Sequence, residues 1–213
     1  YSLLDSYGSL FAYQTANNNS ESLFQLQWLT GSTDAIGWGC NNAMQAFFAW
    51  STMVGETNWG NATYASYDLV REYDPQDRIR RHNTICTVGE YYSELNSKNG
   101  GYTYNVTESG YDNKCNIKKH VIGKIDDNGQ SYQQSSGVNT YMMRLAEVYL
   151  NLAEAILGNN ASTTDETALT YFNKVRVRAG MPELKSITYE NLRYERRIEF
   201  ALEGQYWYDL LRR

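Results

Sequence analysis

Residues 140–213 carry three helix patterns in a row, each with its own start and stop signals. The first, TYMMRLAEVYLNLAEAILGNN, is rich in Ala and Leu and apolar nearly all round, and Gly158 closes it. All-round apolarity predicts a buried helix, and a glycine after the last apolar turn suits a left-handed C-cap. The second, TTDETALTYFNKVRVRAGMP, offers Thr164 or Asp165 as N-cap, Ala168, Leu169, Phe172 and Val175 as an inner stripe, and Gly180 with Pro182 as a stop. The third, TYENLRYERRIEFALEG, starts at Thr188, places Leu192, Ile198, Ala201 and Leu202 inward, and ends at Gly204. Small residues at Ala146, Ala153 and Ala168 beside Tyr149 and Phe172 echo a tetratricopeptide helix pair with a longer connecting loop. These patterns make residues 140–213 the helical scaffold region.

Residues 1–139 form a loop-rich, aromatic and Asn-rich region, read as ligand-facing. Four of the five Trp lie between Trp28 and Trp59, and the whole chain holds 19 Tyr, 20 Asn and 16 Gly against 2 Pro. Tyr and Trp join an apolar ring to a polar tip, and Asn and Gly favour turns. This combination suits recognition of polar, uncharged ligands. LLDSYGSLFAY (3–13) has helical spacing. SLFQLQWL (22–29) alternates, with Phe24, Leu26 and Trp28 on one face, so it reads as a strand. TYASYDLVREY (63–73) reads as a short helix capped by Thr63, with Leu69 and Val70 inward, while RIRRHNTICTV (78–88) and NIKKHVIGKI (116–125) read as strands. Both regions are expected to belong to one domain whose N-terminal part is missing, since the chain opens on YSLLDSYGSLFAY rather than Met.

Charge and cysteine content narrow the function classes. The formal net charge is −5, all of it in residues 1–139, with 9 Lys+Arg against 14 Asp+Glu; residues 140–213 balance at 10 and 10. No basic stripe exists, so nucleic-acid binding lacks its electrostatic footprint. No 18-residue apolar run is present to span a bilayer. Cys40, Cys86 and Cys115 are widely spaced, without a CxxC, and only His82 and His120 could join them. That set argues against a zinc site, and no metal or cofactor is expected.

Glu195, Glu199 and Glu203 recur every four residues in the third helix, with Arg196 and Arg197 among them. Neighbours four apart stand about 6 Å apart along a helix, within the roughly 5–9.5 Å of paired glycosidase carboxylates. A catalytic pair must flank a bond from opposite sides, however, and adjacent arginines lower a carboxylate pKa instead of raising it. The better reading is a structural clamp of Arg–carboxylate forks between helices.

In this order and spacing, LAEVYLNLAEAIL, NKVRVRAGMP and ERRIEFALEGQYWYDLLR resemble the C-terminal signature of the SusD-like (RagB/SusD) family of outer-membrane nutrient-binding lipoproteins in Bacteroidetes. ESLFQLQW (21–28) and DLVREYDPQDRIR (68–80) are similar to earlier landmarks of that family, so the resemblance covers nearly the whole chain. It implies a mostly α fold with a loop-rich irregular region, a few short strands and tetratricopeptide-related helical packing. It implies non-enzymatic capture of glycans, or of peptides, for a SusC-like TonB-dependent transporter, at the outer-membrane cell surface through a lipid anchor outside this chain. The glutamate motif would then be architecture. The family carries an Arg or similar residue where this chain has Gln205 or Tyr206.

Sugars present flat C–H faces flanked by hydroxyls, which aromatic rings and amides match. TGSTDAIGWGCNN and GETNWGNATY supply both types. Trp38 and Trp59 are therefore the candidate stacking platforms, with Asp34, Asn41, Asn42 and Asn58 as hydrogen-bonding partners. A Trp between glycines can also simply cover backbone. Trp28 and Trp50 read as core, Trp207 as packing near the helix stop, and loop residues Tyr102, Tyr104 and Tyr132 as weaker candidates. Arg78, Arg80 and Arg81 read as surface partners of Glu72, Asp74 and Asp77, while the resemblance implies an architectural arginine here, and His82 and His120 read as strand or surface residues. Asn18, Asn61, Asn105 and Asn160 open N-x-Ser/Thr triplets, which recur by chance in an Asn-rich chain. The rival functions are a helical-repeat interaction module with its Trp residues folded inward, and a glycoside hydrolase using Glu195 and Glu199.

Overall fold

The computed structural model describes residues 1–30, 42–54, 63–105, 115–129, 131–132 and 135–212. Its scaffold is built on α7 (Leu145–Leu157), α8 (Glu166–Arg178) and α9 (Tyr189–Glu199). Ala146, Leu150, Ala153 and Leu157 form one buried stripe of α7, packed with Ala168, Phe172 and Val175 of α8 and with Leu192 and Phe200. Alanines in that stripe leave room for the Phe172 ring, a large apolar surface to withdraw from water. Asp165 caps α8, its Oδ1 accepting the Ala168 N–H at 2.9 Å. Thr188 and Asn191 form a reciprocal capping box on α9. The segments flanking α8 pair as β7 (Ser162–Thr163) with β8 (Ile187–Thr188).

Two expectations for the first helix are corrected. Its opening residues are instead strand β6 (Thr140–Arg144), paired antiparallel with β1 (Ser22–Leu26). The pairing turns Tyr141 and Arg144 inward, and that tertiary gain overrides local helical spacing. Nor is α7 buried all round, because Val148 and Leu152 are exposed among the described residues.

The region before β6 folds as short elements around three further clusters. A 3-10 turn (Tyr7–Leu10) and α1 (Tyr13–Ala16) set Tyr7, Leu10 and Phe11 against Tyr141. α2 (Met44–Phe48) and α3 (Ser51–Val54) lead into a cluster of Ala49, Met53, Val54, Cys86, Tyr92, Leu95, Tyr102, Tyr104 and Val121. A third cluster joins Leu69, Tyr73, Ile85, Cys115 and Ile117 to Ile198 and Ala201 of the scaffold. Cys86 and Cys115 are free, buried thiols in different clusters. Small ladders close the loops: β2 (Tyr91–Tyr92) with β3 (Tyr102–Thr103), and β4 (Ser131–Tyr132) with β5 (Ser135–Ser136).

Several readings of this region change. α4 (Tyr67–Glu72) is capped by Ser66, not Thr63. Residues 78–84 are helix α5 (Arg78–Thr84), started by Asp77, whose side chain accepts the Arg80 N–H; the cap and the inward demand of Arg80 outweigh the strand-like alternation. Residues 116–125 contribute only the bridges Tyr64–Asn116 and Ile85–Ile117 before turning into α6 (Ile125–Asn128). On β1, Phe24 and Leu26 face outward, with Phe24 61% exposed. A bulged register with β6 gives the interior to other side chains. Tyr102 and Tyr104 are core residues, His120 is buried, and Trp207 is exposed on α10 (Tyr206–Leu211).

Candidate functional site

The glutamate ladder lies inside the molecule. Glu195 and Glu199 are fully buried and Glu203 nearly so. Arg80 Nη1 donates to Glu195 Oε1 at 2.5 Å and to Glu199 Oε2 at 3.2 Å, while its Nε holds Asp77 at 2.8 Å. Arg176 takes the other oxygen of Glu195 at 2.8 Å. Arg144 bridges Glu199 (2.6 Å), Glu21 (2.9 Å) and Glu203 (2.8 Å). Arg178 joins Glu21 at 2.5 Å and also bonds Glu199. Lys119 donates to Glu203 at 2.8 Å and to the Ala201 carbonyl at 2.7 Å. Five cations (Arg80, Lys119, Arg144, Arg176, Arg178) thus meet five carboxylates (Glu21, Asp77, Glu195, Glu199, Glu203).

The electrostatics follow from that balance. Burial pushes the Glu199 carboxyl up, but Arg178, Arg144 and Arg80 outweigh it and hold the pKa at about 2. Glu203 is likewise raised by burial and lowered, on balance, by Arg144 and Lys119. A general acid needs a raised pKa and access to a scissile bond; Glu199 has neither. The acid–base reading of Glu195 and Glu199 is therefore excluded, and the ladder is a clamp.

The clamp's partners are not the ones suggested by adjacency. Arg196 bonds Asp209 and Asn151, and Arg197 bonds Asp68 and Glu72, both turned away from the ladder. One residue along a helix turns about 100° around its axis, so an immediate neighbour leaves the stripe. Arg80 is fully buried, so its surface placement is corrected, while its pairing with Asp77 and the architectural role implied by the resemblance agree with the structure. Glu21, Lys119, Arg144, Arg176 and Arg178 were not singled out from sequence. Their signal was a charge set within otherwise apolar or capped segments.

Of the residues expected to bind ligand, Asp34, Trp38, Asn41, Asn58 and Trp59 lie outside the described residues, as does Cys40. Asn42 is buried and committed: its Nδ2 donates to the Val138 carbonyl at 2.7 Å and its Oδ1 accepts the Met44 N–H at 3.1 Å. The flanks of the loop segments are firmly held. Trp28 donates its backbone N–H to Asn139 and its indole N–H to Thr140, so both sides of residues 31–41 anchor on 136–140. Thr63 donates its N–H to the Phe47 carbonyl at 3.3 Å, and Ala65 to Cys115 at 3.3 Å. Asn116 then accepts the Tyr104 hydroxyl at 2.8 Å and donates to Phe48 at 3.1 Å. The flanks of 31–41, 55–62 and 106–114 thereby converge on α2. Among the described residues, two of the larger depressions are a cleft of about 910 Å³ between residues 1–5 and α7–α8 and a groove of about 510 Å³ beside α1 and α5. No cluster fit to hold a metal ion occurs among the described residues.

A family model described as the SusD family matches residues 5–213. The chain belongs to the SusD family. It is 41% identical to a SusD-like protein of Bacteroides ovatus over 98% of its own length and 37% of that relative's. A crystal structure with a xylogluco-oligosaccharide superposes with a TM-score of 0.88 at 39% identity, over 99% of this chain and 41% of that one. Surface glycan-binding protein A from Bacteroides thetaiotaomicron, in complex with laminarihexaose, shares the fold at 22% identity and a TM-score of 0.72, over 100% of this chain and 46% of that one. This SusD-family chain therefore spans about two fifths of the relatives it matches.

Proposed function

We propose that this SusD-family chain is part of a cell-surface protein that binds neutral glycans without cleaving them and delivers them to a SusC-like TonB-dependent transporter. The observation that carries the reading is the likeness, at 39% identity over 99% of this chain, to a structure holding a xylogluco-oligosaccharide. The buried, charge-balanced ladder supports the non-enzymatic part, since it removes Glu195 and Glu199 as a candidate acid–base pair. Convergence of three loop flanks on α2 supports a shared binding face. On that face Trp38 and Trp59 stack on sugar rings, Asp34, Asn41 and Asn58 take hydroxyls, and Asn42 holds the loop end in place.

The test is gel retardation of the full-length protein by soluble polysaccharides, xyloglucan first, beside Trp38→Ala and Trp59→Ala variants. Retardation lost in either folded variant is expected, with affinities in the micromolar-to-millimolar range, about −8 to −4 kcal/mol. Retardation that survives both variants removes these residues from the site. Absence of retardation by every glycan overturns the reading and turns attention to peptides.

A further inference from the structure

The groove beside α1 and α5 has walls that the fold itself does not use up. Its volume of about 510 Å³ falls in the range of small-molecule sites. Ser9, Tyr13 and Gln14 line one side, and their side-chain hydroxyls and amide make no hydrogen bond among the described residues. His82 and Asn83 line the other side. The His82 ring is backed by Tyr92, stacked at 4.5 Å and 18°, so it offers one flat, half-exposed face. Asn83 is fixed: its Nδ2 donates to the Ile79 carbonyl at 2.8 Å. Its Oδ1 sits where a Cβ on Gly8 would meet it at 2.6 Å, so glycine is what allows that approach.

The charges of the walls are already matched. Lys118 pairs with Glu94 at 3.1 Å. Asp127 accepts N–H groups from Asn96, Ser97 and Lys124 and the Ser97 hydroxyl. Neither a cation nor an anion would find an uncompensated partner. What remains is a set of neutral donors and acceptors around a flat ring, the chemistry that recognises a pyranose. We propose that this groove is a second saccharide site, lined by other residues than Trp38 and Trp59. The proposal rests on the glycan-binding reading above and adds a second place of attachment, so that one long chain is held at two points and gains effective concentration.

The experiment is isothermal titration of the full-length protein with xylogluco-oligosaccharide and with laminarihexaose. The parent is compared with Gln14→Trp, Gln14→Ala and the Trp38→Ala/Trp59→Ala pair, each checked for folding by thermal melting. Gln14 is exposed, so the indole of Gln14→Trp fills the groove without entering the core. Two saccharides per chain are expected for the parent and one for Gln14→Trp. Gln14→Ala should weaken the groove site by about threefold to tenfold, the worth of one neutral hydrogen bond. A site that survives in the Trp pair and vanishes in Gln14→Trp supports the groove. Stoichiometry and affinity unchanged by Gln14→Trp, with all binding lost in the Trp pair, overturn the groove and leave the main reading standing. No binding of either saccharide by the parent overturns both.

Discussion

The helical scaffold and the region before it are held together by different means. In residues 140–213 the organising contacts are local: caps at Asp165 and Thr188 and stripes repeating within one helix. In the earlier region they are distant. Gln45 accepts the Ile122 N–H at 2.8 Å and donates to the Gly123 carbonyl at 2.7 Å, and Asn116 ties Tyr104 to Phe48. Side-chain amides there replace the backbone ladders that regular structure would supply. Loops can be held rigidly without strands, which suits a surface whose shape must vary with its ligand. The buried ion cluster is where the two regions meet, since Glu21, Asp77, Arg80 and Lys119 come from one side and Arg144, Arg176, Arg178, Glu195, Glu199 and Glu203 from the other.

Breaking that junction should have the largest effect. Arg144→Ala leaves Glu21, Glu199 and Glu203 short of a partner, and about 3–5 kcal/mol of stability should be lost in denaturant melts. A smaller loss than that of a surface arginine such as Arg212 would contradict the clamp.

Acid comes next, and it acts on both regions. Burial pushes the His120 pKa down to about 4; its neutral ring donates Nε2–H to the Leu202 carbonyl at 3.2 Å. The unfolded chain binds that proton near pH 6.5, so stability is full above about 6.5 and falls as pH drops toward about 4, by on the order of 3 kcal/mol. Glu199 adds a second fall, because its stabilisation is present above an unfolded pKa of about 4.3 and is lost as pH approaches about 2. His120→Asn suits the left-handed backbone at φ 72° and should flatten only the upper part of a pH–Tm curve. An unchanged curve would show that His120 does not titrate as described.

Two milder variants separate the regions. Asn116→Ala removes the bonds to the Tyr104 hydroxyl and the Phe48 carbonyl and should cost about 1–3 kcal/mol. It should also weaken saccharide binding, because the loop flanks meet there. Thr188→Ala removes an N-cap and should cost about 1 kcal/mol with saccharide affinity unchanged. Equal effects of the two on binding would erase the distinction between scaffold and binding face.

The same contrast explains what sequence revealed. Asp165, Thr188, Phe172 and the stop at Gly180 were legible because capping and 3.6-residue periodicity act within a few residues. The ladder's role followed from pKa reasoning, but its partners did not, because Glu21 and Glu203 meet only through Arg144 in three dimensions. Residues 78–84 misled because their alternation matched a strand, while Asp77 capped a helix. Tyr104 looked like a loop aromatic, and its burial among Met53, Tyr92 and Val121, with a bond to Asn116, reveals a core residue. The role of Asn42 as an anchor was likewise invisible until Val138 and Met44 stood beside it.

Binding without chemistry is the central claim, and one measurement addresses it directly. Full-length protein is incubated with end-labelled xylogluco-oligosaccharide, and bound label and chain length are followed together. The account predicts saturable binding with the saccharide recovered intact, at every pH where the protein is folded. Shorter products that appear with the parent and vanish with Glu199→Gln would contradict it.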